Sequence, residues 1–367
     1  MQIALTKKIA DALKMKPGPA NEEENPLFTW TANWITTWDN RRAEDQLVLV
    51  NNANRFTVAV YQVKRKDLKN IEEIIKTAIS NTLLTMNIDP EIVEEYMEKA
   101  GEIKFVKNSN RKASSWVTKS GQESAFYVGR EYNGIDKMFN DTIGTFINKR
   151  PVNYSKSFND AFYPYKEMVL ALSELSGKPA YKYRAFELFV TLDLDVYKAT
   201  RRLIVPADID FFRLHNILQT VFDWDNYHLY DFTILGDSIL DPAARLVPFE
   251  EDLDYDPDAI LMDKQTLLSD FLPKYEHLIY TYDMGDNWEH EIELVRVIDE
   301  HDEESPYLLE AEGQSPPEDV GGVGGFNYFR EIMLDPNHPE HKAMKEWARL
   351  WSLELSDWKK QPKVIDV

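Results

Sequence analysis

Apolar residues in the first half of the chain follow two periods, alternation over short segments and a spacing of three to four over longer ones. Alternation is typical of half-buried strands, and the longer spacing is typical of amphipathic helices. Asn, Asp and Pro stand where these helices begin, as capping and first-turn residues do. The predicted elements are a strand at Gln2–Leu5, a helix at Lys7–Lys14, a hairpin from Leu47–Val50 and Phe56–Val63, helices from Asn70 to Met86 and from Asp89 to Gly101, a strand at Ile103–Val106, a basic loop at Asn108–Lys112, and helices at about 134–147 and 158–175.

Strand-like alternation dominates the second half, which begins after a predicted linker at 176–179. The predicted elements are strands at Ala185–Leu194 and Thr200–Val205, a helix opened by Asp208 or Asp210, a strand from His228 to Leu235, a hairpin, a short helix at Phe326–Leu334 and a last helix reaching about Leu355. The order strand, strand, helix, strand, hairpin predicts a β-grasp-like mixed sheet with packed helices. We therefore expect an α+β protein with two domains, residues 1–177 and 178–367.

The hairpin after residue 277 has an unusually polar tip. Two apolar segments, Leu278–Tyr282 and Ile292–Ile298, flank a turn in which Asp, Asn and Gly285 accept left-handed backbone conformations. The titratable residues of this turn are Asp283, Asp286, Glu289 and His290, and Trp288 directly precedes Glu289. A hairpin of this size rarely needs four titratable groups for its structure. The tip is therefore a candidate functional site.

Carboxylate and imidazole groups, the ligands of hard and borderline cations, gather at three places in the second half. Besides the hairpin tip, these places are the loop pair Glu318-Asp319 and the histidines His338 and His341. Residues three apart lie on adjacent faces of a helical turn, so the two histidines could point at one ion. The candidate ligands of a divalent metal ion are Asp283, Asp286, His290, His338 and His341. The alternative is that these residues form turns and cap helices.

The net charge of −21 is concentrated in one stretch. Residues 237–319 contain 25 acidic and 4 basic side chains, so this stretch carries the whole imbalance. A field of this sign repels nucleic-acid phosphates and favours a basic or cationic partner, protein or small ligand. Nucleic acid is therefore not an expected partner of the C-terminal half.

The composition narrows the chemistry further. The 367 residues include no Cys, which excludes thiolate catalysis and Cys-based metal sites. Neither a signal-peptide pattern nor a membrane-spanning apolar run is present, so a cytoplasmic protein without a membrane partner is expected. The segment Gly321–Gly325 lacks the residues of a P-loop and follows no βαβ strand, so no nucleotide cofactor is predicted.

Three tryptophans of the first half, Trp30, Trp34 and Trp38, recur every four residues. If this segment is helical, they lie on one face beside Arg41 and Arg42, where they could stack on nucleic-acid bases. The alternative is that the three side chains belong to a core.

The second half, from about Tyr181 to Trp351, resembles the plasmid pRiA4b ORF-3-like family, whose members are sometimes called transposon passenger proteins related to a "TnpR". Four motifs carry the resemblance: Phe222-Asp223-Trp224 with Tyr227-His228-Leu229-Tyr230-Asp231-Phe232; Tyr282-Asp283-Met284-Gly285-Asp286-Asn287-Trp288-Glu289-His290; Pro316-Pro317-Glu318-Asp319-Val320-Gly321-Gly322; and Asp335-Pro336-Asn337-His338-Pro339-Glu340-His341. The first half more loosely resembles an uncharacterised domain. The family resemblance implies an α+β fold and no settled activity.

The sequence departs from the family pattern at three positions. Many relatives have Cys where this chain has Ser315 and Val320, and Tyr230 stands where a second His is common. If relatives use those positions for a metal, the resemblance implies weaker or no metal binding here.

Three functions remain open from the sequence. The leading interpretation is a non-enzymatic binding module that uses the acidic C-terminal domain. The rival is a metal-dependent hydrolase, acting for example on phosphodiesters, in which a bound ion activates water. The third is a nucleic-acid binder that acts through the N-terminal domain.

Overall fold

The computed structural model describes residues 1–20, 25–39, 42–128, 141–152, 162–236, 242–263, 265–348 and 359–365. Within these ranges the chain forms two compact units, Met1–Lys182 and Tyr183–Val367. Both units combine helices with a mixed β-sheet. The predicted α+β class with two domains is thereby confirmed.

The first unit is built on a five-stranded sheet with the order β4-β3-β2-β1-β5. Its strands are β1 (Gln2–Leu5), β2 (Thr29–Asp39), β3 (Arg42–Asn51), β4 (Thr57–Val60) and β5 (Lys104–Lys107). Its helices are α1 (Lys7–Leu13), α2 (Ile71–Thr85), α3 (Pro90–Ala100), α4 (Arg111–Val128), α5 (Asp141–Asn148) and α6 (Pro164–Ser176). Strand β1 runs parallel to both of its neighbours, β2 and β5, while β2, β3 and β4 form an antiparallel meander.

Two predictions for this unit need correction. The segment with three tryptophans is strand β2, in which Trp30 and Trp34 are buried core residues. The indole Nε1 of Trp30 donates to the Tyr96 hydroxyl at 3.0 Å, so neither buried ring offers a surface for bases. Arg41 lies outside the described residues. The basic loop expected at 108–112 is shorter than predicted, because helix α4 already begins at Arg111.

The second unit contains a ten-stranded sheet with the order β10-β9-β8-β11-β12-β6-β7-β13-β14, and β15 also pairs with β13. The strands are β6 (Tyr183–Asp193), β7 (Lys198–Pro206), β8 (Tyr230–Ile234), β9 (Ala244–Val247), β10 (Ile260–Leu261), β11 (His277–Tyr282), β12 (Trp288–His301), β13 (Tyr307–Glu312), β14 (Lys359–Lys360) and β15 (Lys363–Val364). Among these described strands all pairings are antiparallel except that of β9 with β10.

One long helix packs its apolar side on this sheet. Helix α7 (Phe211–Phe222) begins where Asp210 accepts a hydrogen bond from the backbone N–H of Arg213 at 2.8 Å, as an N-cap does. Its buried residues, such as Leu214 and Leu218, join the strands in one hydrophobic core. The predicted order of strand, strand, helix, strand and hairpin is observed as β6, β7, α7, β8 and β11–β12.

The C-terminal helices differ from the predictions at their ends. Helix α8 (Gly322–Leu334) begins four residues earlier than expected, because the glycines form its first turn instead of a loop. Helix α9 (His341–Trp347) follows, and its predicted continuation to about Leu355 lies outside the described residues. In the described part of the chain, no helix combines the length and the apolar character that crossing a bilayer demands.

Candidate functional site

The pairing of β8 with β11 places a histidine beside the hairpin tip. Tyr230 pairs with Tyr282, and the backbone N–H of Asp283 donates to the Leu229 carbonyl at 2.9 Å. The residue just before Leu229 is His228, which therefore lies against the start of the turn. Its imidazole packs edge to face on the Tyr282 ring, with 5.8 Å between the ring centroids.

Asp283 is the tip residue that faces this histidine. Its backbone is left-handed, with φ of 57°, and its Oδ1 accepts from the N–H groups of Gly285 at 2.9 Å and Asp286 at 3.3 Å. These bonds hold the side chain, so that Oδ2 lies 3.6 Å from the His228 Nε2 atom. The residue is almost completely buried. A buried carboxylate is thereby held in a fixed position beside the imidazole.

The loop before helix α8 supplies two further carboxylates. The Oδ2 atom of Asp286 accepts from the backbone N–H of Gly321 at 3.0 Å, which ties this loop to the hairpin tip. As a result, Asp319 Oδ1 lies 3.2 Å and Glu318 Oε2 lies 3.8 Å from the His228 Nε2 atom. We call His228, Asp283, Glu318 and Asp319 the His228 cluster. One ligand atom each from His228, Asp283 and Asp319 lies within 4.8 Å of the other two.

Polar atoms in the cluster lack hydrogen-bond partners. The His228 Nε2 atom and the Glu318 Oε2 atom are both buried and form no hydrogen bond. By contrast, Glu318 Oε1 accepts from the backbone N–H of Asp225 at 2.9 Å and from the Tyr282 hydroxyl at 3.1 Å. Burial raises the pKa of the Glu318 carboxyl above its usual value, although these hydrogen bonds act in the opposite direction. Buried polar atoms normally have partners, so these two atoms are available to a ligand.

A network of hydrogen bonds among His215, Gln219, Asn226 and Tyr280 lies next to the cluster. The Tyr280 hydroxyl lies 2.7 Å from Nδ1 of His215, and Nε2 of the same imidazole lies 2.7 Å from the Asn226 side-chain oxygen. Gln219 donates to the same Tyr280 hydroxyl at 2.9 Å and accepts from the Asn226 N–H. Burial lowers the pKa of His215 to about 4, so this imidazole is neutral at physiological pH. The network fixes the segment that leads to His228.

A buried arginine organises the start of the loop. Arg201 donates to the Gly313 carbonyl at 3.0 Å and to the Ser315 hydroxyl at 3.1 Å. Next to it, the Trp224 indole N–H donates to the Pro316 carbonyl at 3.2 Å. Burial lowers the pKa of Arg201 to about 10, which still leaves the guanidinium charged at neutral pH. Arg201 therefore positions the loop that carries Glu318 and Asp319.

The structure brings some of the site residues predicted from the sequence together at the cluster and places others in the core. Asp283, Glu318 and Asp319 meet at the His228 cluster, and Asp286 fixes the loop. Trp288 and His290 are fully buried, and Nδ1 of His290 donates a hydrogen bond to the Tyr280 carbonyl at 3.1 Å. Burial lowers the pKa of His290 to about 3, so this imidazole belongs to the neutral core.

The two C-terminal histidines make local contacts. His338 Nδ1 accepts from the backbone N–H of Glu340 at 3.2 Å, and His341 Nδ1 donates to the Ile332 carbonyl at 3.0 Å. Neither histidine belongs to the group of close ligand atoms found among the described residues. Both therefore serve the connection between α8 and α9.

Sequence reasoning did not include His228 among the candidate ligands. The residue stands inside one of the family motifs, at the first position of a predicted strand. Its place at the tip follows only from the register of β8 on β11, which no local pattern reveals. The motif was thus the signal that could have identified it.

These observations define an α+β domain with a histidine–carboxylate cluster between a hairpin tip and the loop before helix α8. Residues 184–360 match the family model described as plasmid pRiA4b ORF-3-like protein, and residues 2–167 match a model described as a domain of unknown function (DUF6933). The chain belongs to the plasmid pRiA4b ORF-3-like family through its second unit. The resemblance predicted for each half is thereby confirmed at the family level.

Two proteins similar to this chain have been described by name. The chain is 39% identical over 161 residues to the uncharacterized protein y4hQ of Sinorhizobium fredii, covering 44% of this chain and 79% of that protein. A crystal structure of a protein of unknown function, MM3350 from Methanosarcina mazei Go1, matches with 26% identity and a TM-score of 0.40. That match covers 45% of this chain and 89% of the other. Neither name states an activity, so the chemistry rests on the side chains.

Proposed function

We propose that the second unit is a divalent-cation-binding module and that the His228 cluster holds the ion. The observation that carries the proposal is the convergence of three carboxylate oxygens on an imidazole nitrogen that has no hydrogen-bond partner. These oxygens come from the hairpin tip and from the loop before α8, so an ion would join two segments far apart in the sequence.

The distances within the cluster suit a shared ion. Ligand atoms that each lie about 2.1 Å from a metal ion are separated from one another by about 3–4 Å. The three oxygens lie 3.2, 3.6 and 3.8 Å from His228 Nε2. One imidazole with carboxylates suits Mn, Fe, Ni or Zn better than Mg or Ca, which prefer oxygen ligands alone.

The surrounding charge favours the same ligand. The cluster lies in the half of the chain that carries the excess of acidic residues, and three of its four members are carboxylates. Like charges at this distance repel one another, and a divalent ion removes that repulsion. The proposal therefore agrees with the cationic partner expected from the sequence.

Calorimetric titration of the untagged, chelator-treated protein with Zn²⁺ and Mn²⁺ tests the proposal. We expect one ion per chain, and a melting temperature raised by about 5–10 °C when the free ion exceeds its Kd about a hundredfold. His228→Ala and Asp283→Asn should each weaken binding at least about tenfold, since each removes a ligand.

The matched control is His277→Ala, which removes an exposed histidine from the same sheet. It should leave binding and stabilisation unchanged. If His228 instead serves as a protonated partner of the carboxylates, no ion will bind, and the wild type and His277→Ala will show the same flat titration.

A metal-dependent hydrolase is the second candidate, and one observation favours it. Glu318 combines a raised pKa with a contact to the Tyr282 hydroxyl, and its Oε2 lies beside the proposed ion. A carboxyl of this kind could transfer a proton while the ion activates a water molecule. Glu318→Gln should abolish phosphodiester hydrolysis even when the ion is supplied at a concentration that saturates the variant. Ion binding without turnover of a phosphodiester panel would leave the module non-enzymatic.

Location and biological context complete the proposal. A chain without Cys suits a reducing compartment, which supports a cytoplasmic location. A role as a transposon passenger protein rests on the family resemblance alone. A fluorescent fusion that fractionates outside the cytoplasm would contradict the first inference.

A further inference from the structure

A cavity adjoins the His228 cluster on the side of the C-terminal helices. It has a volume of about 360 Å³ and lies between the loop at Asp319 and Val320, helix α8 and helix α9. Its size is within the range of about 300–1,000 Å³ that is typical of small-molecule sites. The cavity opens to solvent at the margin of the core, since its aromatic walls include the half-exposed Tyr328 and Trp347 as well as the buried Phe329.

The lining combines aromatic rings with one carboxylate. Tyr328, Phe329 and Trp347 contribute rings, and the rings of Phe329 and Trp347 pack edge to face at 5.8 Å between centroids. Met344 adds a polarizable thioether, and Asp319 is the charged side chain among the lining residues. Aromatic faces attract cations through their quadrupole, and a carboxylate attracts them through its charge. An apolar ligand alone would gain nothing from Asp319.

Asp319 also connects the cavity to the charge of the whole unit. Its side chain is 70% exposed, and it faces the cavity while its Oδ1 lies 3.2 Å from His228 Nε2. The loop that carries it ends the stretch of residues 237–319 with a net charge of −21. The carboxylate of Asp319 places a negative charge at the cavity, which disfavours an anionic ligand.

We propose that this cavity binds a small organic cation, an alkylammonium whose methyl or methylene groups lie against the aromatic rings and whose charge lies near Asp319. The site goes beyond ion binding at the His228 cluster, with which it shares Asp319. Its ligand differs from a metal ion because the rings offer no coordinating atoms and exclude water from an apolar surface.

Choline is a suitable probe because 3,3-dimethylbutan-1-ol has the same shape without the charge. In calorimetric titrations of the chelator-treated full chain, choline should bind at least about tenfold more tightly than the neutral alcohol. Trp347→Leu and Asp319→Asn should each weaken choline binding to about the level of the alcohol, since one removes a ring and the other the charge. Equal binding of both probes, or no binding of choline, overturns the proposal.

Two comparisons separate this site from the ion site. Trp347→Leu should keep the Zn²⁺ affinity and lose choline, whereas His228→Ala should keep choline and lose Zn²⁺. Trp347 is 48% exposed, and an unchanged Zn²⁺ affinity in Trp347→Leu shows that the variant is folded. Tyr255→Leu is a control at an exposed aromatic residue outside the cavity. Choline binding that persists in Trp347→Leu, or that requires Zn²⁺, also overturns the proposal.

Discussion

The contact between the start of helix α8 and the hairpin tip can be tested by adding one methyl group at Gly322. Gly322, the first residue of α8, has φ of +67°, and a Cβ added there would lie 2.6 Å from the Asp286 carbonyl oxygen. Side chains essentially never approach this closely, and a backbone oxygen cannot turn away. Gly322→Ala must therefore push the loop away from the tip, against the bond from Gly321 to Asp286.

Two costs add in this variant. A left-handed conformation costs a residue with a Cβ about 1–2 kcal/mol. Relief of the clash requires a backbone shift that weakens a hydrogen bond, which costs about 1 kcal/mol more. We expect a loss of about 2–3 kcal/mol, equivalent to a melting temperature lowered by about 4–12 °C for a unit of this size. Calorimetric melting of the full chain measures it.

Gly324→Ala is the matched control two residues further along the same helix. A Cβ at this position meets no atom within 4 Å, and its φ lies outside the left-handed range. Replacement of a helical Gly by Ala then favours folding by up to about 1 kcal/mol. The reasoning is refuted if both variants melt at the same temperature or if Gly322→Ala is the more stable of the two.

Two further predictions concern buried charge in the second unit. Burial lowers the pKa of His215 to about 4 and of His290 to about 3, so both imidazoles are neutral in the native state and stabilise the fold fully only above the unfolded pKa of about 6.5. As pH falls from about 6.5 towards 4, the unfolded chain binds about two more protons, and the free energy of unfolding should fall by up to about 2.7 kcal/mol per pH unit. Urea unfolding at a series of pH values measures this slope, and a flat profile would contradict it. Glu187 is fully buried on β6, where its two oxygens accept from Arg202 and Arg296 at 2.5 Å. Burial alone would raise the pKa of the Glu187 carboxyl, but the two arginines together lower it by a larger amount. The pKa therefore lies below the usual value. Glu187→Gln should cost about 2–3 kcal/mol in urea unfolding at neutral pH, because the amide keeps one accepting oxygen and turns an N–H donor towards the other arginine. The control Glu310→Gln, at an exposed position, should cost almost nothing.

Local signals predicted those elements whose pattern and turn chemistry agree. The hairpin of β11 and β12 is one example, because alternating residues flank a turn rich in Asp, Asn and Gly. The tryptophans of β2 show the opposite case. A spacing of four places Trp30 and Trp34 on one face of a helix, but also on one face of a strand, and only the pairing with β3 decides between them.

The candidate site was predictable only in part, since its members come from three segments. The hairpin and the loop motif pointed to Asp283, Glu318 and Asp319, whose residue types suggest ligands. His290 is also a residue type that binds cations, but its side chain lies on the buried face of β12, against Phe222 and Trp224. His228 depends on a long-range register. Residue type therefore indicated the chemistry, and sheet topology selected which imidazole takes part.

The hairpin tip and the loop before α8 both contain residues with left-handed backbone conformations. Asp283 and Asn287 in the tip, and Asp319 and Gly321 in the loop, all have positive φ. For residues other than Gly, such conformations cost about 1–3 kcal/mol each, and they persist only where surrounding contacts stabilise them. Here they aim two carboxylates at one imidazole, an arrangement whose repulsion lowers the stability of the fold. Under the proposed function, a bound cation offsets the repulsion between these carboxylates and so stabilises the arrangement.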